Sequence, residues 1–114
     1  MTLISPSGHR LLDGLTVVGF AAAPFVIPLS GAAAGLAWAL AVVHLLMTLA
    51  TSFPDRPRGV VPLQWHGSVE LLVGAALLAA PFVAGWAGPA RWFYLLAGGV
   101  ILVVRLGSRF EVKA

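Results

Sequence analysis

Two residue pairs in this 114-residue chain could do chemistry: His9 with Asp13, and His66 with Glu70, each an imidazole four residues before a carboxylate. On a helix, side chains at i and i+4 project side by side, so each pair would present a nitrogen and an oxygen donor on one face. If the two helices converge, His9, Asp13, His66 and Glu70 form a metal-ligand set suited to zinc, iron or manganese in a bundle core. His44, alone among Val42, Val43, Leu45 and Leu46, offers a different chemistry. It could be an axial ligand of b-type haem if a second histidine lay at similar depth. His44, Glu70 and Asp13 together could also relay protons, because histidine titrates near physiological pH. The plainer expectation is local pairing. Acids near helix N-termini are favoured by the helix dipole. Asp13 would then pair with Arg10 or His9, Glu70 would form an intramembrane ion pair with Arg105, and His9 and His66 would sit among lipid headgroups.

Catalytic machinery of the common kinds is missing. The chain has no G-x-S-x-G, Walker A or G-x-G-x-x-G motif, and Ser5, Ser7, Ser52 and Ser108 fall in flanking segments without a triad. No catalytic residue is therefore expected. The absence of cysteine excludes disulfides, thiolate metal sites and iron–sulfur clusters.

The elements that must position these residues are transmembrane helices. With 60% hydrophobic and 10% charged residues, the chain is too apolar to cover a soluble domain of this size. Four continuous apolar stretches, about 11–29, 32–51, 64–85 and 90–107, each approach the ~20 residues that span a bilayer as helix. Barrel strands would alternate instead, and lipid cannot satisfy an unpaired backbone, so helices are expected.

The chain also repeats itself. Offset by 57 residues, His9–Phe53 aligns without gaps on His66–Phe110, with 13 identities in 45 positions, including Ala22-Ala23-Pro24-Phe25-Val26 on Ala79-Ala80-Pro81-Phe82-Val83. Such internal similarity marks a duplicated structural unit. It argues against a cleaved signal peptide over residues 1–35, since a discarded leader has no reason to mirror the rest. The expected organisation is a first two-helix repeat at 1–57 and a second at 58–114, forming one all-α membrane domain of four transmembrane helices. Two spans per repeat give both copies the same orientation, related by a pseudo-two-fold axis along the membrane normal.

Arg10, Arg56, Arg58, Arg105, Arg109 and Lys113 fall on one side of a four-span protein, and only Arg91 on the other. The positive-inside rule then places both termini in the cytoplasm, with Trp86 and Trp92 at the outer interface and Trp65 at the inner one. This distribution reads as membrane orientation rather than nucleic-acid binding. Pro24 and Pro81 should bend or end the first and third helices. Gly31-x-x-x-Gly35, Gly98-Gly99 and the many alanines allow helices to approach closely.

An acidic residue eleven positions before Pro24 and Pro81, an apolar stretch, then Ala-Pro-Phe and a short turn into a second span resemble the SPW-repeat family of small bacterial membrane proteins. Gly74 matches a glycine common in such repeats four residues after the polar position. Ala-Pro-Phe stands here for Ser-Pro-Trp, and carboxylates stand for the usual amide. The resemblance implies two-span hairpins in a bacterial inner membrane and implies no particular activity.

Together these readings describe a small integral membrane protein, expected to act as a non-catalytic structural or interaction module without a cofactor, as a homo-oligomer or within a larger membrane complex. Metal ion or haem b binding at the paired histidines and carboxylates, and a small transporter or proton-conducting element, are the alternatives.

Overall fold

A computed structural model describes residues 3–109 of the chain. Four helices follow one another: α1 (Pro6–Val26), α2 (Gly31–Ala50), α3 (Leu63–Ala84) and α4 (Gly88–Gly107). Among them α2, α3 and α4 are long and apolar enough to cross a membrane. The 21-residue α1 is as long, but His9, Arg10 and Asp13 in its first half lower its mean hydropathy.

Local chemistry sets the helix limits. α1 begins five residues before its apolar run, because Ser5 caps it by accepting the Gly8 amide at 3.1 Å and Pro6 fits the first helical position. It ends at Val26 rather than near Leu29, since Ile27 is extended ahead of Pro28. Pro24 and Pro81 lie inside α1 and α3, two and three residues before their respective ends. Gly31 and Gly88 open α2 and α4 with φ of 52° and 60°, a left-handed conformation that favours glycine.

α1 packs along α2, and α3 along α4. The closest helix approach is at Gly74 and Gly98, where a Cβ on Gly98 would lie 2.8 Å from the Gly74 carbonyl oxygen. The Gly31-x-x-x-Gly35 spacing plays no such part: Gly31 is used for its backbone conformation, and nothing lies within 4 Å of a Cβ at Gly35. Alanines 33, 34, 37 and 41 form the buried face of α2. Between the two hairpins, Phe20 meets Phe93 edge-on at 5.8 Å, and the Tyr94 hydroxyl donates to the Ala33 carbonyl at 2.6 Å. The outer faces carry exposed Leu, Val and Phe on all four helices, as a lipid solvent permits.

At one end of the bundle, short extended segments tie each hairpin to the other. Val61 donates to the Ala50 carbonyl and accepts from the Ser52 amide, both at 2.9 Å. In the same way Ile4 donates to the Gly107 carbonyl at 2.8 Å and accepts from Arg109 at 3.0 Å. These contacts join the start of α3 to the end of α2, and the start of α1 to the end of α4.

Candidate metal centre

His9 and Asp13 lie one turn apart on the buried face of α1, and His66 and Glu70 occupy the same places on α3. The face is set by the burial rhythm: α1 buries His9, Asp13, Phe20 and Ala23, and α3 buries Leu63, His66, Gly67, Glu70, Gly74 and Leu77. One stripe therefore carries both the apolar core and, at the end next to the linker, the polar groups. The structure brings all four polar residues together, with one donor atom from each lying within 4.8 Å of the others. None of the four side chains is more than 4% exposed.

The contacts run across the hairpins as well as along the helices. His9 Nε2 lies 3.2 Å from Asp13 Oδ1 and 2.8 Å from Glu70 Oε2. His66 Nε2 lies 2.7 Å from Glu70 Oε1 and 3.0 Å from Asp13 Oδ2. Each imidazole thus aims one nitrogen between two carboxylates. Asp13 Oδ2 and Glu70 Oε2 are fully buried and find no donor among the described residues other than the imidazole nitrogens that face them, which donate only when they carry a proton. A buried carboxylate oxygen without a donor is costly, and that cost is removed by a cation.

The other nitrogen of each histidine is held by a hydroxyl. His66 Nδ1 lies 2.7 Å from Thr51 Oγ1, at the end of α2, and His9 Nδ1 lies 2.7 Å from Ser108 Oγ, at the end of α4. Neither hydroxyl was singled out by sequence. The 57-residue offset carries the signal, since it aligns Thr51 with Ser108 exactly as it aligns His9 with His66.

His44 joins the cluster from α2, with Nε2 3.2 Å from Asp13 Oδ1 and 3.7 Å from Glu70 Oε1. No haem-sized space opens beside it among the described residues. The cavity beside Asp13, His44 and Glu70 is about 10 Å³, space for a single water. The position aligned with His44 is Ile101, which lines the same cavity.

Of the partners expected for Asp13, His9 is in place at 3.2 Å, while Arg10, and Arg105 as the partner of Glu70, turn elsewhere. The ion pair between Glu70 and Arg105 is replaced: Glu70 spends its oxygens on histidines, and Arg105 Nε donates to the Gly67 carbonyl at 2.8 Å. Arg10 turns away from Asp13 to grip Asp55 of the linker through two hydrogen bonds, at 3.1 and 2.7 Å. Its guanidinium also lies over the Phe53 ring, 5.5 Å from the centroid. Phe53 is 1% exposed and meets His66 edge-on at 5.8 Å, so it closes the cluster on the linker side. The aligned Phe110, together with Lys113 of the expected cytoplasmic cations, lies outside the described residues.

Compared with known protein families, with curated proteins and with solved structures, the chain finds no match, so the SPW-repeat resemblance gains no support beyond the residues that suggested it.

Proposed function

We propose that this is a four-span protein of a bacterial inner membrane that binds one divalent transition metal ion through His9, Asp13, His66 and Glu70. Two imidazole nitrogens and two carboxylate oxygens suit zinc, iron or manganese. The observation that carries the reading is the pair of buried carboxylate oxygens, Asp13 Oδ2 and Glu70 Oε2, whose polar neighbours among the described residues are imidazole nitrogens at 3.0 and 2.8 Å. A dication with two carboxylates and two neutral imidazoles is electrically neutral, which a membrane interior requires. His44 then lies against the Asp13 carboxylate, 3.2 Å away, and orients it or adds a fifth donor.

The site would lie on a pseudo-two-fold axis relating residues 1–57 to 58–114. Recurrence at the 57-residue offset supports this. α2 and α4 have matching limits, His9–Ser108 matches His66–Thr51, and the Ile4–Gly107 and Val61–Ala50 hydrogen bonds correspond. With both termini and the linker cytoplasmic, as the cations argue, the metal would sit about one turn inside the cytoplasmic face. α1 would be the fourth span, with His9 and Asp13 tolerated because they turn inward. The lipid bilayer is the partner that covers the exposed apolar faces, and nothing in the chain calls for nucleic acid.

A second reading has an observation of its own. Two imidazoliums facing two carboxylates would also be neutral, and would make the cluster a charged clasp between hairpins in a purely structural module. Equilibrium dialysis of the detergent-solubilised protein against Zn²⁺, Mn²⁺ and Fe²⁺ separates the two. The metal reading expects one ion per chain, lost in Asp13→Asn/Glu70→Gln. Binding no stronger than in that variant would leave the clasp.

A further inference from the structure

Each hairpin touches the other's histidine through one hydroxyl, and the protons of those hydroxyls bear on which histidine nitrogen carries a proton. A serine or threonine hydroxyl has one proton to donate. Thr51 donates it to the Met47 carbonyl at 2.6 Å, and Ser108 donates its own to the Val104 carbonyl at 2.5 Å. Carbonyl oxygens only accept, so both hydroxyl protons are committed. The 2.7 Å contacts of Thr51 with His66 Nδ1 and of Ser108 with His9 Nδ1 must then be hydrogen bonds in which Nδ1–H donates. A neutral imidazole with its proton on Nδ1 has its lone pair on Nε2, the atom that faces Asp13 and Glu70 in both histidines.

Resting on the metal reading above, the geometry points to Thr51 and Ser108 as positioning residues that hold His66 and His9 in the Nε2-ligating tautomer. The arrangement is exchanged between the halves: Thr51 ends α2 but serves the histidine of α3, and Ser108 ends α4 but serves that of α1. A metal site of this kind forms only when the two hairpins are docked. Backbone contacts support the exchange, because the segments before α3 and α1 are hydrogen-bonded to the ends of α2 and α4. Carbonyl-anchored hydroxyls of this kind also fix the ring planes, which stand 80° apart with centroids 5.7 Å from one another.

The test is Co²⁺ affinity of the full chain in detergent, measured by competition with a chromophoric chelator. It would be read together with ¹⁵N NMR of the histidine side chains in the loaded protein. Thr51→Val and Ser108→Ala should each weaken Co²⁺ binding about 10- to 100-fold, as loss of a ligand's orienting partner does. Thr51→Ser and Ser108→Thr, which keep the hydroxyl, should restore it to within about 3-fold, a margin well inside that loss. A diamagnetic Zn²⁺ sample should show Nδ1 protonated and Nε2 metal-bound in His9 and His66. Affinities of the hydroxyl-less variants within 2-fold of wild type, or Nδ1 ligation, would overturn the positioning role while leaving the metal reading intact. A wild-type chain that binds no Co²⁺ would overturn the metal reading, and this role with it. If Thr51→Val does not fold, Ser108→Ala and its threonine rescue decide the matter alone.

Discussion

His9 and His66, 57 residues apart in sequence, meet edge to face with ring centroids 5.7 Å apart. Edge-to-face contact alone is common among packed rings. What distinguishes this pair is that both Nε2 atoms turn onto the same two carboxylates, so the two rings act as halves of one polar cluster.

Energetic coupling should follow those contacts. In double-mutant cycles on the detergent-solubilised protein, Glu70→Gln and His9→Gln should couple by about 0.5–3 kcal/mol, as residues in one buried network do. Glu70→Gln and Arg105→Gln should add to within about 0.5 kcal/mol, because Arg105 bonds the Gly67 carbonyl instead. Unfolding followed by circular dichroism checks both, and strong coupling of Glu70 to Arg105 would restore the ion pair.

The α3–α4 crossing leaves no room for a methyl group. In Gly98→Ala the new Cβ meets the Gly74 carbonyl oxygen and Leu78, so the helices must separate. Overpacking of this kind costs about 1–3 kcal/mol, which thermal unfolding of the variant should show. Gly35→Ala, with nothing near its Cβ, should unfold with wild-type stability.

Tyr94 ties the hairpins together at the end of the bundle away from the cluster. It is fully buried, and its hydroxyl reaches the Ala33 carbonyl of α2. Tyr94→Phe should lose about 1 kcal/mol, the usual net worth of one hydrogen bond, without changing metal affinity. A drop in affinity in this variant would mean that the two ends of the bundle are coupled more tightly than these contacts imply.

Gly59 connects the linker to the site. A Cβ there would fall on the backbone of Ala50, Thr51 and Ser52, so Gly59→Ala must displace the residue that orients His66. Its Zn²⁺ affinity should fall into the range of Thr51→Val, roughly 10- to 100-fold below wild type, although residue 59 is far from any ligand in character. Equal affinities of Gly59→Ala and wild type would separate the linker from the site.

The helices and the four converging residues were legible because each depends on short-range pattern. Continuous apolar runs mark helices in this chain, and the i, i+4 pairs His9/Asp13 and His66/Glu70 mark a shared face. The start of α1 was misplaced because a hydropathy pattern does not see the Ser5-Pro6 cap. Sequence gives Thr51 no role and sets Ser108 aside as a flanking serine for a similar reason. A hydroxyl at a helix end ordinarily bonds the carbonyl four residues back, and both do so here. Their second bond crosses to another helix, and only tertiary packing can show that. His44 has no counterpart in the repeat, since its aligned position holds Ile101, but its grouping with Asp13 and Glu70 is met, with Nε2 3.2 Å from Asp13 Oδ1 and 3.7 Å from Glu70 Oε1. Spacing along the chain does not choose between partners for Arg105, whose Nε reaches the Gly67 carbonyl one turn before Glu70.

A metal ion at this cluster, as proposed, would travel with the purified protein. Inductively coupled plasma mass spectrometry of the protein purified in mild detergent, beside the His9→Ala/His66→Ala variant, tests it most directly. Near-stoichiometric zinc, iron or manganese that disappears in the variant is the result expected. Metal no higher in the wild type than in the variant would contradict the proposal and leave the cluster as a charged clasp between two hairpins.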